Sequence, residues 1–257
     1  MILRGCVFSE TLEMETGLTV LLPDSVDARP RRVVYLLHGL CGANGDWTNY
    51  SMLPVYAREC GAAFVMPEVG RSFYADMRHG QRFGSYIADE LPAICRRSFN
   101  ISARPEDTAI MGNSMGGFGA MKTALARPGA YGYCAAFAPA GLFLAEQTAA
   151  LANPKGLEYV RQTYGEQLIR DFHAIFGEDL QPGREERIMD LARNAADGDK
   201  PRLYVACGTG DDLLAENRRF RDETRELGYD VLYEEWEGGH DWQFFDQALK
   251  HALYHFK

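Results

Sequence analysis

The chain has 257 residues, of which 46% are hydrophobic and 25% charged, and its formal net charge is -9. This length and balance predict one α/β domain over residues 1–257 with a large buried core. The acidic balance argues against a nucleic acid or an anionic membrane as partner, because binding phosphate requires a basic surface. No stretch approaches the ~20 apolar residues of a membrane span, and the N-terminus lacks the apolar stretch of a signal peptide. The six cysteines form no CxxC pair, as is typical of a reducing compartment, so we expect a cytoplasmic protein.

Apolar runs of strand length recur along the chain. The first two segments, Leu3–Ser9 and Leu18–Leu22, read as an antiparallel pair. The later runs lack the alternation of a half-exposed strand, which favours parallel strands covered on both faces. These runs are Val33–Leu37, Ala62–Met66, Thr108–Met111, Cys134–Phe137, Leu203–Cys207 and the shorter Val231–Tyr233.

Helical patterns separate these runs. They cover Met52–Cys60, Tyr86–Phe99, Gly116–Ala126, Glu216–Leu227 and Trp242–Phe256. Alternating strands and helices predict a mostly parallel central sheet flanked by helices, with right-handed crossovers.

The segment from about Leu142 to Lys200 interrupts this alternation and shows no convincing core strand. Its patterns predict helices over Leu157–Phe176 and Arg184–Asn194. We therefore predict a cap-like helical insertion, residues 142–200, that follows the strand Cys134–Phe137. Because ligands of open α/β sheets bind beyond the carboxyl ends of the strands, the insertion should begin near the ligand site.

A Gly-x-Ser-x-Gly motif lies at Gly112–Gly116, between the run Thr108–Met111 and the helical pattern that follows. A strand, a sharp turn and a helix in this order are the context of a nucleophile elbow, which exposes a serine hydroxyl at the edge of an α/β-hydrolase sheet. The glycines leave room for the sharp turn. The motif predicts the α/β-hydrolase fold with Ser114 as nucleophile, and the N–H of Met115 as a donor to the oxyanion.

A serine nucleophile requires a base and an orienting acid, which follow it along the chain in this fold. His38 and His79 precede Ser114 and are excluded as the base. His240 follows the last strand in a glycine-containing loop and is the predicted base. The loop after Leu203–Cys207 contains Asp211 and Asp212, and either could orient the histidine.

The second oxyanion donor in this fold comes from the loop after the first central strand. That loop is His38–Gly42, and the N–H of Leu40 is the predicted donor. We expect His38 to hold the loop in place.

Several motifs together resemble the tributyrin esterase and esterase D group of α/β-hydrolases, over nearly the whole chain. The group includes S-formylglutathione hydrolases and is similar to feruloyl and acetylxylan esterases. The motifs are Leu36–Gly39, Gly45–Trp47, Val65–Pro67, Glu90–Pro92, the elbow Gly112–Ala120 and Gly238–Trp242.

The resemblance implies a triad of Ser114, Asp211 and His240, with Leu40 and Met115 as oxyanion donors. It favours Asp211 over Asp212. S-formylglutathione hydrolases usually have a histidine before the elbow serine and a Ser-Gly-Leu-Thr-Cys oxyanion loop. Asn113 and the loop His38–Gly42 depart from this pattern and favour the tributyrin-type esterases.

We therefore expect a serine carboxylesterase that acts on small short-chain acyl esters. We expect the enzyme to need no metal and no cofactor. The alternatives are an S-formylglutathione hydrolase, a feruloyl or acetylxylan esterase, an acyltransferase, and a non-catalytic protein on a hydrolase scaffold. The sequence leaves the oligomeric state open and allows a homo-oligomer.

Overall fold

The protein folds around an eight-stranded sheet with strand order β1-β2-β4-β3-β5-β6-β7-β8. The computed structural model describes residues 1–23, 32–99, 101–195 and 200–256. The strands are β1 (Ile2–Ser9), β2 (Met14–Leu21), β3 (Val33–Leu37), β4 (Ala63–Pro67), β5 (Thr108–Asn113), β6 (Tyr133–Phe137), β7 (Arg202–Gly208) and β8 (Val231–Trp236).

The central strands are parallel, and only the N-terminal side of the sheet is antiparallel. β1 pairs antiparallel with β2, and β2 pairs antiparallel with β4. The pairings from β4 through β3, β5, β6 and β7 to β8 are all parallel. Every residue of β3, β4, β5 and β6 is buried, as expected for strands that helices cover on both faces. The predicted α/β-hydrolase sheet is confirmed.

Helices pack on both faces of this sheet. They are α1 (Asp46–Tyr50), α2 (Leu53–Cys60), α3 (Phe83–Ser85), α4 (Leu91–Phe99), α5 (Met115–Ala126), α6 (Leu144–Leu151), α7 (Pro154–Tyr164), α8 (Glu166–Phe176), α9 (Ile188–Asn194), α10 (Leu214–Glu226) and α11 (Trp242–His255). α1, α2 and α11 contribute to the core on one face, and α4, α5, α8, α9 and α10 contribute to the core on the other. In the part of the chain that the structure describes, no helix has the length and apolarity to cross a bilayer.

The structure corrects several predicted boundaries. The helix predicted over Leu157–Phe176 is two helices, because the chain turns at Gly165 with a φ of +85°. The helix predicted over Tyr86–Phe99 begins as a π-helical turn, Tyr86–Glu90. β8 extends to Trp236, three residues past the predicted Tyr233. Its second half contains glutamates because it is an edge strand with a partly exposed surface.

Helices α6 to α9 and a 3-10 turn, Arg184–Glu186, occupy the segment between β6 and β7 where the insertion was predicted. Residues 196–199 of that segment lie outside the described residues. α8 is well packed, with six buried residues. The buried Lys122 of α5 donates a hydrogen bond of 2.9 Å to Glu186, and this ion pair connects the insertion to the helix that follows Ser114.

Candidate active site

Ser114 occupies a strained turn between β5 and α5. Its φ of +53° and ψ of -119° are unusual for a residue with a side chain, and such strain is characteristic of functional turns. A Cβ on Gly116 would lie 2.5 Å from the carbonyl oxygen of Leu37, so only glycine lets the helix begin this close to β3. The strand, turn and helix predicted from the Gly-x-Ser-x-Gly motif are therefore present.

His240 connects Ser114 to Asp211. Its Nε2 lies 2.9 Å from the Ser114 hydroxyl oxygen, and its Nδ1 lies 2.7 Å from Asp211 Oδ2. If Nδ1 carries the proton and donates to the carboxylate, Nε2 is free to accept the serine proton. The structure thus brings together the three side chains of the triad that the family resemblance implies.

Asp211, and not Asp212, is the aspartate that contacts His240. The Asp211 side chain is only 1% exposed, and its Oδ1 accepts a hydrogen bond from the Leu213 N–H at 2.9 Å. Asp212 is exposed. This geometry agrees with the choice that the family resemblance favoured.

The loops that contain the acid and the histidine pack directly on each other. The N–H of Gly210 donates to the carbonyl of Gly238 at 2.9 Å. A Cβ on Gly208 would collide with the same Gly238 carbonyl. This close backbone approach fixes the distance between Asp211 and His240.

The loop His38–Gly42 lies beside the elbow. A Cβ added to Gly39 would be 3.5 Å from the Cβ of Ser114 and 3.0 Å from Asn113 Nδ2. The predicted donor Leu40 follows directly. Met115 is the first residue of α5, where a backbone N–H has no partner within the helix. Met115 therefore adjoins Ser114 along the chain, and Leu40 follows the glycine that lies beside it.

His38 is buried and holds this loop. Its Nδ1 lies 2.9 Å from the carbonyl oxygen of Gly39, and its Nε2 lies 3.3 Å from the Val69 nitrogen and 3.4 Å from Glu68 Oε1. Burial opposes ionisation of Glu68, but hydrogen bonds from His38 and from the backbone of Gly70 and Asn44 lower the pKa of its carboxyl to about 2. The Glu68 carboxylate thus lies next to His38 and also accepts a hydrogen bond from the Asn44 N–H.

Two further histidines lie close to glutamates elsewhere in the fold. His251 contacts Glu234 on β8, and His173 lies near Glu178 at the end of α8. The structure places neither of these two against Ser114, whose hydroxyl oxygen lies beside His240 Nε2.

Arg71 is a residue near the site that sequence reasoning missed. It donates to the Cys41 sulfur in the loop His38–Gly42 and to Asp171 of α8. No motif marks it, because its partners lie 30 and 100 residues away along the chain.

A mostly parallel sheet with a serine on the sharp turn after β5 and a histidine against its hydroxyl defines a serine hydrolase of the α/β-hydrolase fold. The chain belongs to the Esterase family, described as "Putative esterase", whose model matches residues 9–256. It is a carboxylic ester hydrolase, as the sequence predicted.

Relatives and solved structures agree with this assignment. The chain is 28% identical over 256 residues to an acetyl esterase from Caldicellulosiruptor saccharolyticus, and the match covers 96% of this chain and 94% of the relative. It is similar to the fluorophosphonate-binding serine hydrolase FphF from Staphylococcus aureus, with a TM-score of 0.81, 25% identity and coverage of 100% and 98% of the two chains. It is also similar to an S-formylglutathione hydrolase from Staphylococcus aureus, with a TM-score of 0.78, 25% identity and the same coverage.

Proposed function

We propose that this esterase hydrolyses short-chain acyl esters, from acetyl to butyryl, through an acyl-enzyme formed on Ser114. The observation that carries the proposal is the pair of hydrogen bonds that link His240 to the Ser114 hydroxyl and to the Asp211 carboxylate. A serine hydroxyl is a weak nucleophile at neutral pH, and this contact supplies the base that activates it. The similarity to an acetyl esterase supports a short acyl group.

In the proposed reaction, His240 Nε2 takes the Ser114 proton while the hydroxyl oxygen attacks the ester carbonyl. The N–H groups of Leu40 and Met115 bind the oxyanion of the tetrahedral intermediate. His240 then gives its proton to the leaving alcohol, and the acyl-enzyme remains. Asp211 holds the imidazole in the correct tautomer and stabilises its charged form. A water molecule repeats the same steps to release the acid.

Ester turnover measured across acyl length tests this proposal. We expect p-nitrophenyl acetate and butyrate to be hydrolysed with a much higher kcat/KM than the decanoate, and S-formylglutathione to be turned over poorly. Acetylated and feruloylated saccharides extend the series to other alcohols and acids. Preferred turnover of S-formylglutathione would instead assign a thioesterase, and transfer of the acyl group to an added alcohol in preference to water would assign an acyltransferase.

Two exposed tyrosines of the insertion are proposed to form a wall of the substrate site, and this wall would limit the size of the acyl or alcohol group. Tyr159 and Tyr164 of α7 are 61% and 52% exposed and form an edge-to-face pair 6.5 Å apart. Partial burial raises the pKa of Tyr164, and so do Tyr159 and the charge of Asp212, the residue after the proposed acid. By contrast, Phe172 and Phe176 of α8 are buried in the core.

A double variant, Tyr159→Ala with Tyr164→Ala, should raise decanoate turnover relative to butyrate turnover at least several-fold. Removing both rings opens the proposed wall without exposing α8, whose buried residues make deletion of the whole insertion costly. Tyr254→Ala is the matched control, because this tyrosine is 67% exposed on α11. An unchanged ratio in a folded double variant would show that these rings do not contact substrate.

A further inference from the structure

The loop that contains Leu40 is attached to the insertion through Arg71. Arg71 Nη1 donates to the Cys41 sulfur at 2.7 Å. On its other edge, Nε and Nη2 each lie 2.7 Å from Asp171 Oδ2 on α8. A continuous chain of contacts therefore runs from a buried insertion helix to the residue after the proposed oxyanion donor.

Asp171 is itself held firmly. It is 8% exposed, and its Oδ1 accepts a hydrogen bond of 2.9 Å from Gln167 one turn earlier in α8. Burial opposes the charge of Arg71, but the contacts with Asp171 outweigh it and raise the pKa of the guanidinium. The charged fork geometry of arginine lets it bind a carboxylate on one edge and keep a donor on the other.

The segment that contains Arg71 also holds the opposite end of the same loop. Tyr74 donates its hydroxyl proton to the carbonyl of His38 at 2.8 Å. Phe73 packs edge-on against Phe118 of α5 and Phe172 of α8, with ring centroids 6.1 and 5.1 Å away. Phe73 and Tyr74 have φ values of +49° and +55°. Residues other than glycine adopt this backbone conformation when surrounding contacts impose it.

Cys41 needs such support because its own φ is +64°. A non-glycine residue in this region is strained, and a free loop would relax toward other conformations. Relaxation at Cys41 would shift the Leu40–Cys41 peptide group, and the neighbouring Gly39–Leu40 peptide group that contains the Leu40 N–H would have to move with it. Small errors in the position of an oxyanion donor cost catalysis, because the donor must meet the oxygen of the transition state.

We propose that Arg71 is a positioning residue that fixes the oxyanion loop by bridging Cys41 to Asp171. This inference rests on the proposed function, since it takes Ser114 as nucleophile and Leu40 as donor. Arg71 acts through Cys41, so its loss should lower kcat for steps that build an oxyanion and leave KM nearly unchanged.

The test compares an ester with the thionoester of the same acyl and leaving groups. A thiocarbonyl sulfur gains little from an oxyanion hole. The kcat of the thionoester therefore depends on the other parts of the site and not on the oxyanion donors. We expect Arg71→Met to lower ester kcat by about tenfold, less than the 10²–10³ lost on removing a donor outright, and to lower thionoester kcat much less. Asp171→Asn should show the same pattern to a smaller degree. Arg161→Met, which removes an exposed insertion arginine that pairs with Glu158 and Glu166, is the control and should match the wild type.

Rates are normalised to the active sites counted by burst titration, and folding is checked by thermal unfolding. Arg71→Lys serves as a second variant that keeps the charge but cannot bridge both partners, and it should give the same ester-selective loss. An unchanged kcat in a folded variant, or equal losses for ester and thionoester, would overturn the role of Arg71 and leave the proposed function standing. A wild-type protein that forms no acyl-enzyme would overturn both.

Discussion

Ser114→Ala should abolish covalent labelling by a fluorophosphonate and lower ester kcat by several orders of magnitude. The hydroxyl oxygen of Ser114 is the proposed attacking atom, and His240 activates it through their 2.9 Å contact. Members of a triad act as a unit, so losing the nucleophile alone lowers the rate about as much as losing the whole triad. Labelling and p-nitrophenyl butyrate turnover measure the effect.

The fold should survive this change. Alanine fills nearly the same volume as serine, and the backbone hydrogen bond from the Ser114 N–H to the Phe137 carbonyl, at 2.9 Å, does not involve the side chain. The thermal midpoint should therefore stay close to that of the wild type. A folded variant that keeps more than about a tenth of wild-type turnover would contradict the assignment. The effects of removing triad residues are not additive, so loss of the nucleophile alone should remove nearly all of the triad's contribution to the rate.

Asp211→Asn should lower kcat far more than Asp212→Asn, by up to about 10⁴-fold if the acid behaves as in other triads. An asparagine at position 211 can hold the wrong tautomer of His240 and cannot stabilise its charged form. The two residues are adjacent, yet only Asp211 contacts His240 Nδ1. Steady-state kinetics of both variants with one ester measure the difference.

Asp212→Asn is the matched control, since it makes the same chemical change on an exposed side chain of the same loop. It should keep activity near the wild-type level. The reverse ranking would transfer the role of orienting acid to Asp212.

The parts of the site that could be predicted from the sequence are those that short local patterns of residues determine. Ser114 was found because a strand, a tight glycine turn and a helix follow one another in consecutive residues. His240 could be predicted because the order of residues excludes His38 and His79, and because it lies in a glycine-containing loop after the last strand. The residues alone left Asp211 and Asp212 open, because the direction of each side chain depends on how the Gly208–Asp212 loop turns against Gly238.

The parts that sequence reasoning missed depend on contacts between distant segments. Arg71 reads as an ordinary surface charge, since Cys41 and Asp171 approach it only after the sheet and α8 have assembled. The end of β8 was missed because Glu234 and Glu235 interrupt the apolar run that marks a buried strand. The break between α7 and α8 could have been predicted, because Gly165 lies within the pattern Leu157–Phe176 and a glycine there indicates a turn.

Direct capture of the acyl-enzyme tests the central claim that Ser114 carries the acyl group of a short-chain ester. Wild-type protein is mixed with excess p-nitrophenyl butyrate, quenched in acid during turnover, and analysed by intact and peptide mass spectrometry. We expect the added mass of one butyryl group on the peptide that contains Ser114, and no such addition in Ser114→Ala. A butyryl group on another residue such as Cys41, or turnover without any acylated protein, would contradict the claim.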